Sequence, residues 1–458
     1  MVEKVNSRIQ QYNYNTINRV TNSVSTPAVG NCSTLATSFT AAVPLNPAKK
    51  TIALRTTLSG KEEKQKYTEI LSNLDKNGRK ITENLLKSGI LLNADSNDKS
   101  TVLDNLYKIL KEPRAEGLNS KIMLKDTIAT LAYPYVITQQ FGDIPAAYRD
   151  KTIQANNEGK TNLLDIQQGA NDINVTHSGT CVAASTEFKL AKQHPAEFAR
   201  FAQELSSPKL SVTKTIELNN LADKPLNAIW LLNAFEVPYE ASDFNQAKLI
   251  FAPDKNAILR AQIQTTNKDP YERTPLDVLM QSTFMQIGSQ QSYNTLTDKR
   301  AGKFNQNDKG LIEFEKTFTE SVVFDQNILS VTYQTVDENA RLIGYETDLS
   351  TMKRHLLEAL NEGENVIIGY TQTDANNIIV NGHEITIVGY KTDNKGKMTF
   401  ICNDTDDNIP RPVEYPEDYL LPKIHHAALP QHIVENDLNI VPNWVEGINM
   451  YKQMRSAA

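Results

Sequence analysis

Apolar positions change period along the chain, and the changes mark out its elements. From Gly60 to about Asp143 they recur every three or four residues. Tyr67, Ile70, Leu71 and Leu74 share one helical face, as do Ile81, Leu85 and Leu86, and then Val102, Leu103, Leu106, Ile109 and Leu110. Ser100 or Thr101 caps the third of these helices, and Pro113 ends it because proline cannot continue the hydrogen-bond ladder. Met123, Ile128, Leu131 and Val136 predict a fourth helix or helix pair, interrupted at Pro134. An irregular connection from Gly142 to Gly179 leads into a helix at Cys181. Pro195 interrupts that helix and opens another, running to about Leu205.

The second half reads differently. Residues 207–345 mix strand-like alternation (Thr213–Leu218, Ile258–Gln264, Leu329–Val336) with one strong helix. That helix is announced by Thr274 as cap, Pro275 at the first helical position and Asp277 in the first turn. Leu349 to Gly363 is amphipathic through Met352, Leu356, Leu357 and Leu360. Asn365–Tyr370, the run around His383 and Met398–Cys402 then read as successive strands, the last two joined by the turn Thr392–Gly396. Trp444–Met454 predicts a short docking helix. Helices first and neighbouring strands later place the chain in the α+β class.

Composition narrows the classes. A chain of 458 residues is expected to hold two or three domains. The net charge of −6, with no basic stripe, argues against nucleic acid as partner. Three cysteines (Cys32, Cys181, Cys402) rule out a disulfide scaffold, and Cys402 reads as an inert core thiol. No apolar run spans a membrane, and no apolar stretch of signal-peptide type opens the chain. A cytoplasmic setting is the default expectation, with export lacking an N-terminal Sec signal left open.

The candidate chemistry starts at Ser178-Gly179-Thr180-Cys181-Val182-Ala183-Ala184-Ser185, a thiol in the first turn of a helix that Thr180 or Ser178 caps. Backbone N–H groups at a helix start carry partial positive charge and favour a thiolate. A proton carrier is offered by Gly382-His383-Glu384-Ile385-Thr386-Ile387-Val388-Gly389-Tyr390, and the next strand ends in Asn403-Asp404. A second cysteine context, Gly30-Asn31-Cys32, reads as an unreactive thiol in the polar arm.

Helix-start Cys, strand His and strand-end Asn, in that order, resemble the papain-like cysteine peptidases. Gly179, Cys181, Ala183 and Ser185 stand where that family's nucleophile motif has the same residues. Gly382, His383 and Val388-Gly389-Tyr390 resemble its histidine strand. The departures are Val182 for an aromatic residue, Ser178 for a cysteine, and Val175 where the oxyanion glutamine belongs. Asn174 or Gln168 is the substitute candidate. The resemblance implies a two-lobed fold, with a helical half carrying Cys181 and an antiparallel β half carrying His383 and Asn403 (or Asp404).

It further implies a catalytic region at 144–425 with an insertion at about 207–345. Around it lie a mobile polar arm (1–59), a helical module (60–143) that restrains access or binds a partner, and a C-terminal docking tail (426–458). The implied activity is hydrolysis of peptide or amide bonds in a peptide or protein substrate through a thioester. An acyltransferase of transglutaminase type and a catalytically silent binding module are the alternatives. No cofactor and no metal is expected. Asp404–Asn408 begins like a calcium loop, but Tyr415 stands where its bidentate Glu belongs. His177, and His425 and His426 with His432, read as surface.

Overall fold

The computed structural model describes residues 54–158, 166–168, 172–175, 179–241, 243–266, 271–304, 309–407, 410–435 and 443–456. The polar arm up to residue 53, Cys32, His177 and Ser178 lie outside that set. The class is α+β.

Four helices open the described chain: α1 (Gly60–Ser72), α2 (Lys76–Lys87), α3 (Val102–Lys111) and α4 (Ser120–Ala132). Three of their starts are set by short polar side chains. Asp75 accepts from Gly78 N–H, Asn119 from Lys121 N–H, and Thr101 forms a reciprocal capping box with Asp104. Pro134 opens a 3-10 turn to Val136. After β1 (Ile144–Pro145) come α5 (Arg149–Glu158), β2 (Ile166–Gln168) and β3 (Asp172–Val175), and then α6 (Cys181–Gln193) and α7 (Pro195–Leu205).

These early helices do not stand apart. Ile70, Leu106 and Leu124 belong to one buried cluster with Val182 and Phe188 of α6 and Phe198 of α7, and α3 packs on α7. Asp95 accepts from Ala196 N–H at 2.8 Å, and Glu197 from Asn97 N–H at 2.9 Å. The division at 143/144 is therefore not a boundary of the core: residues 60–132 supply one wall of the cysteine helix's surroundings.

The middle segment contains β4 (Val212–Glu217), α8 (Pro225–Ala234), β5 (Tyr239–Ala241), β6 (Gln246–Phe251), α9 (Ala257–Thr266), α10 (Pro275–Gly288) and α11 (Glu313–Phe324). Strand β4 and the Thr274-capped helix are where the pattern puts them. Ile258–Gln264 is helix, not strand. Its buried face is Ala257, Arg260, Ala261 and Gln264, a helical spacing that two buried polar residues disguise as alternation. Leu329–Val336 resolves into β7 (Ile328–Thr332) and β8 (Gln334–Val336); β9 (Leu342–Tyr345) pairs with β8.

Next come α12 (Leu349–Asn361), β10 (Val366–Thr373), β11 (Ile379–Thr392), β12 (Met398–Asn403), β13 (Val413–Pro416), β14 (Ile424–Pro430) and α13 (Asn443–Ser456). Six strands form one antiparallel sheet in the order β13-β12-β11-β10-β14-β7. The proposed insertion thus ends inside this sheet, since β7 is its edge. The proposed tail likewise begins inside it, because β14 is an internal strand. His425 and His426 are buried there and not at the surface; His432 is exposed, against Glu362 at 2.7 Å. α13 docks on α8 and α11.

The sheet is covered on both faces. Met352, Leu356 and Leu360 of α12 pack with Ile385, Ile387 and Cys402 on one. α6 and α11 meet the other, where Val182, Thr186 and Thr317 share a small cavity with Ile367 and Glu384.

Candidate active site

Cys181 is the first residue of α6, half-buried at the mouth of a helix whose next ten positions are buried. The approach to it is fixed. Gly179 N–H donates to Asp298 Oδ2 at 2.7 Å, and Asp298 itself accepts from Tyr293 Oη and faces Arg273 at 3.6 Å. A Cβ on Gly179 would lie 2.7 Å from the Lys309 carbonyl oxygen, so the close approach of two backbones requires glycine there. Thr180 occupies the N-cap position at 0% exposure, but its side chain makes no capping bond. Among the described residues no side chain caps the first-turn amides of α6.

His383 lies on β11 directly opposite Tyr370 of β10, with ring centroids 6.0 Å apart. Nε2 is held by Asp404 Oδ1 at 2.7 Å, and Nδ1 is buried. Asp404 Oδ1 also accepts from Asp406 N–H at 3.0 Å. Burial works against charge on this carboxyl, but the His383 ring and the Asp406 N–H outweigh it and keep the group below its ordinary range. Full burial, with the same carboxylate adding to it, pushes the Cys402 thiol up and leaves it inert.

Of the two residues considered for orienting the imidazole, Asp404 is the one that touches it. Asn403 pairs with Thr386 in the β11–β12 register, and so lies on the sheet face of Glu384 and not of His383. Asn403 is 1% exposed, and its Nδ2 has no partner among the described residues. Pleating also fixes how α6 meets β11. Val182 and Thr186 face Glu384, so the His383 ring is on the other side of its strand, at the end nearest Asp404.

Gln168 and Asn174, the oxyanion candidates, fall on paired strands β2 and β3, and their side chains lie outside the described set. A further amide emerges from the fold. Tyr135 packs edge-on against Phe188 of α6 at 5.1 Å, and the chain then runs to the loop after β12. There Gln139 N–H donates to the Thr405 carbonyl at 3.0 Å, and Gln139 Oε1 accepts from Thr405 Oγ1 at 3.2 Å. Gln139 thus joins the segment that packs on α6 to the loop carrying Asp404. No spacing rule finds it, because the long connection separates it from Cys181.

Beside His383 lies a recess of about 200 Å³ lined by Tyr370, Gln372, Asn381, Asp404, Asp406, Asp407, Val413 and Tyr415. Its walls are aromatic and its polar groups mostly acidic or amide, a chemistry suited to a cationic or amide-bearing side chain. Comparison of the chain with protein-family models, with curated proteins and with solved structures gives no match in any of the three.

Proposed function

We propose that this protein is a cysteine-dependent hydrolase of papain-like, two-lobed architecture that cleaves peptide or amide bonds through a thioester. The observation that carries the reading is the His383 Nε2–Asp404 bond at 2.7 Å; α6 packs on the opposite face of β11, so the reaction requires Cys181, at the first turn of α6, to meet the ring around the end of that strand. Nε2 is held by the carboxylate, and the reading assigns proton exchange with the thiol to Nδ1. The Cys181 sulfur attacks the carbonyl carbon. The oxyanion is met by first-turn N–H groups of α6 and a side-chain amide, for which Gln139 joins Asn174 and Gln168 as candidate. His383 then protonates the departing amine as the C–N bond breaks. Water, deprotonated by the same ring, attacks the thioester and releases the acid and the thiol.

The acid-lined recess beside His383 favours a second reading, in which a primary amine replaces water and the product is a new amide. An electrophilic cysteine-peptidase probe at neutral pH, followed by peptide mapping, tests the shared first step. Modification confined to Cys181 supports it, and a folded protein that stays unlabelled refutes it. Product analysis with and without a lysine-like amine separates the two readings.

A further inference from the structure

We propose that Glu313, His425 and His426 form a divalent metal site, best matched to Zn²⁺, on the sheet face opposite His383. Three donor atoms converge there. Glu313 Oε1 lies 3.0 Å from His425 Nδ1 and 3.4 Å from His426 Nδ1, and the two ring nitrogens are 3.1 Å apart. Bond lengths of ~2.0–2.2 Å at a tetrahedral angle give ligand–ligand edges of about 3.3 Å, so this triangle is one face of a zinc tetrahedron. The two imidazole planes cross at 83°, which keeps the rings clear of each other while their Nδ1 atoms meet.

The backbone is arranged to produce this convergence. Neighbouring residues of a regular strand point to opposite faces. Between β10 and β14 the register slips, with Gly369 opposite His426 and Tyr370 opposite Ile424, so His425 is the extra residue of a bulge. A bulge re-aims one side chain and lets consecutive histidines reach one point. Gly369 completes the space, since a Cβ there would collide with the His426 ring.

A supporting shell surrounds the three atoms. Glu313 Oε2 accepts from Thr332 Oγ1 at 2.8 Å and Ser330 Oγ at 3.3 Å, which turns Oε1 toward the histidines. His426 Nε2 faces Glu384 Oε1 at 3.2 Å, the carboxylate that a metal-bound imidazole characteristically engages through its second nitrogen. Lys316 holds Glu384 at 2.5 Å and also touches His426 Nε2; with metal on Nδ1 that nitrogen is protonated, and Lys316 remains on the carboxylate alone. The Glu313 side chain is 20% exposed, leaving an approach for the ion and room for water as fourth ligand.

The experiment uses the full chain, stripped with chelator and dialysed, then titrated with Zn²⁺ or with Co²⁺ as a spectroscopic probe. The account expects one ion per chain, and tetrahedral Co²⁺ absorption with nitrogen and oxygen donors and no thiolate band, unchanged in Cys181→Ala. Glu313→Gln should weaken binding at least tenfold, and Glu384→Gln by about 10- to 100-fold. The Co²⁺ spectrum of the unsubstituted chain needs no variant and so decides the matter if a substitution prevents folding. A folded chain that takes up no stoichiometric ion, a thiolate-containing spectrum, or binding indifferent to Glu313→Gln in folded protein would overturn the site and leave a proton-linked network in its place.

Discussion

At His383 two adjacent residues, Asn403 and Asp404, make different predictions. Asp404 holds Nε2, so Asp404→Asn should lower kcat by roughly 10²- to 10⁴-fold, as loss of an orienting carboxylate does. Asn403→Ala, on the other face, should leave kcat within about threefold in protein that remains folded, read from steady-state kinetics on any cleaved amide. The sign of the pH effect follows from the depressed Asp404 value. Its stabilising contribution is complete above the ordinary carboxylate range and is lost as pH falls through the lowered folded value. Acid denaturation followed by circular dichroism should therefore show the stability gap between wild type and Asp404→Asn closing at the acid end. The sequence placed both residues at the strand's end but not which would face the ring. One position of register inverts every side chain, and only the pairing of Thr386 with Asn403 settles it.

Elements with a start signal were the most legible. Thr101 and Thr274 form capping boxes at the predicted places, and Thr101→Ala should cost about 1 kcal/mol in denaturant unfolding. Elements whose buried face carries charge were not. α9 hides Arg260, which donates to the Phe141 and Gly142 carbonyls, while α11 buries Glu315, Lys316 and Glu320, so both break the apolar stripe that would reveal them. The buried His425-His426 pair was misread for a related reason. A bulge is a pairing irregularity between strands distant in sequence, and nothing local announces it. Gly179 is legible as a motif residue, but its physical role appears only with Lys309 beside it. Gly179→Ala should displace the start of α6 and lower probe labelling of Cys181 at least tenfold, without loss of the folded state by circular dichroism.

For the molecule as a whole, one core runs from Ile70 through α6 to Val322 of α11 and Ile448 of α13, and a second fills the α12 side of the sheet. Deleting residues 60–132 would strip apolar partners from α6 and α7, and should yield insoluble or unfolded chain by size-exclusion chromatography and circular dichroism. Any truncation designed to test a gate over Cys181 has to stop short of Gly60. The α+β class followed from the order of helices and strands. The merging of the first four helices into one core with α6 and α7 did not, because periodicity shows that a face is buried and not what buries it.

The central claim is that Cys181 and His383 act as one unit. Its most direct measurement is the rate of Cys181 alkylation by a small electrophile at fixed neutral pH, in wild type and in folded His383→Ala, with the adduct mapped by mass spectrometry. The account predicts a fall of at least tenfold in the variant, at Cys181 alone, with the buried Cys402 silent in both. Equal rates in the two proteins would contradict it.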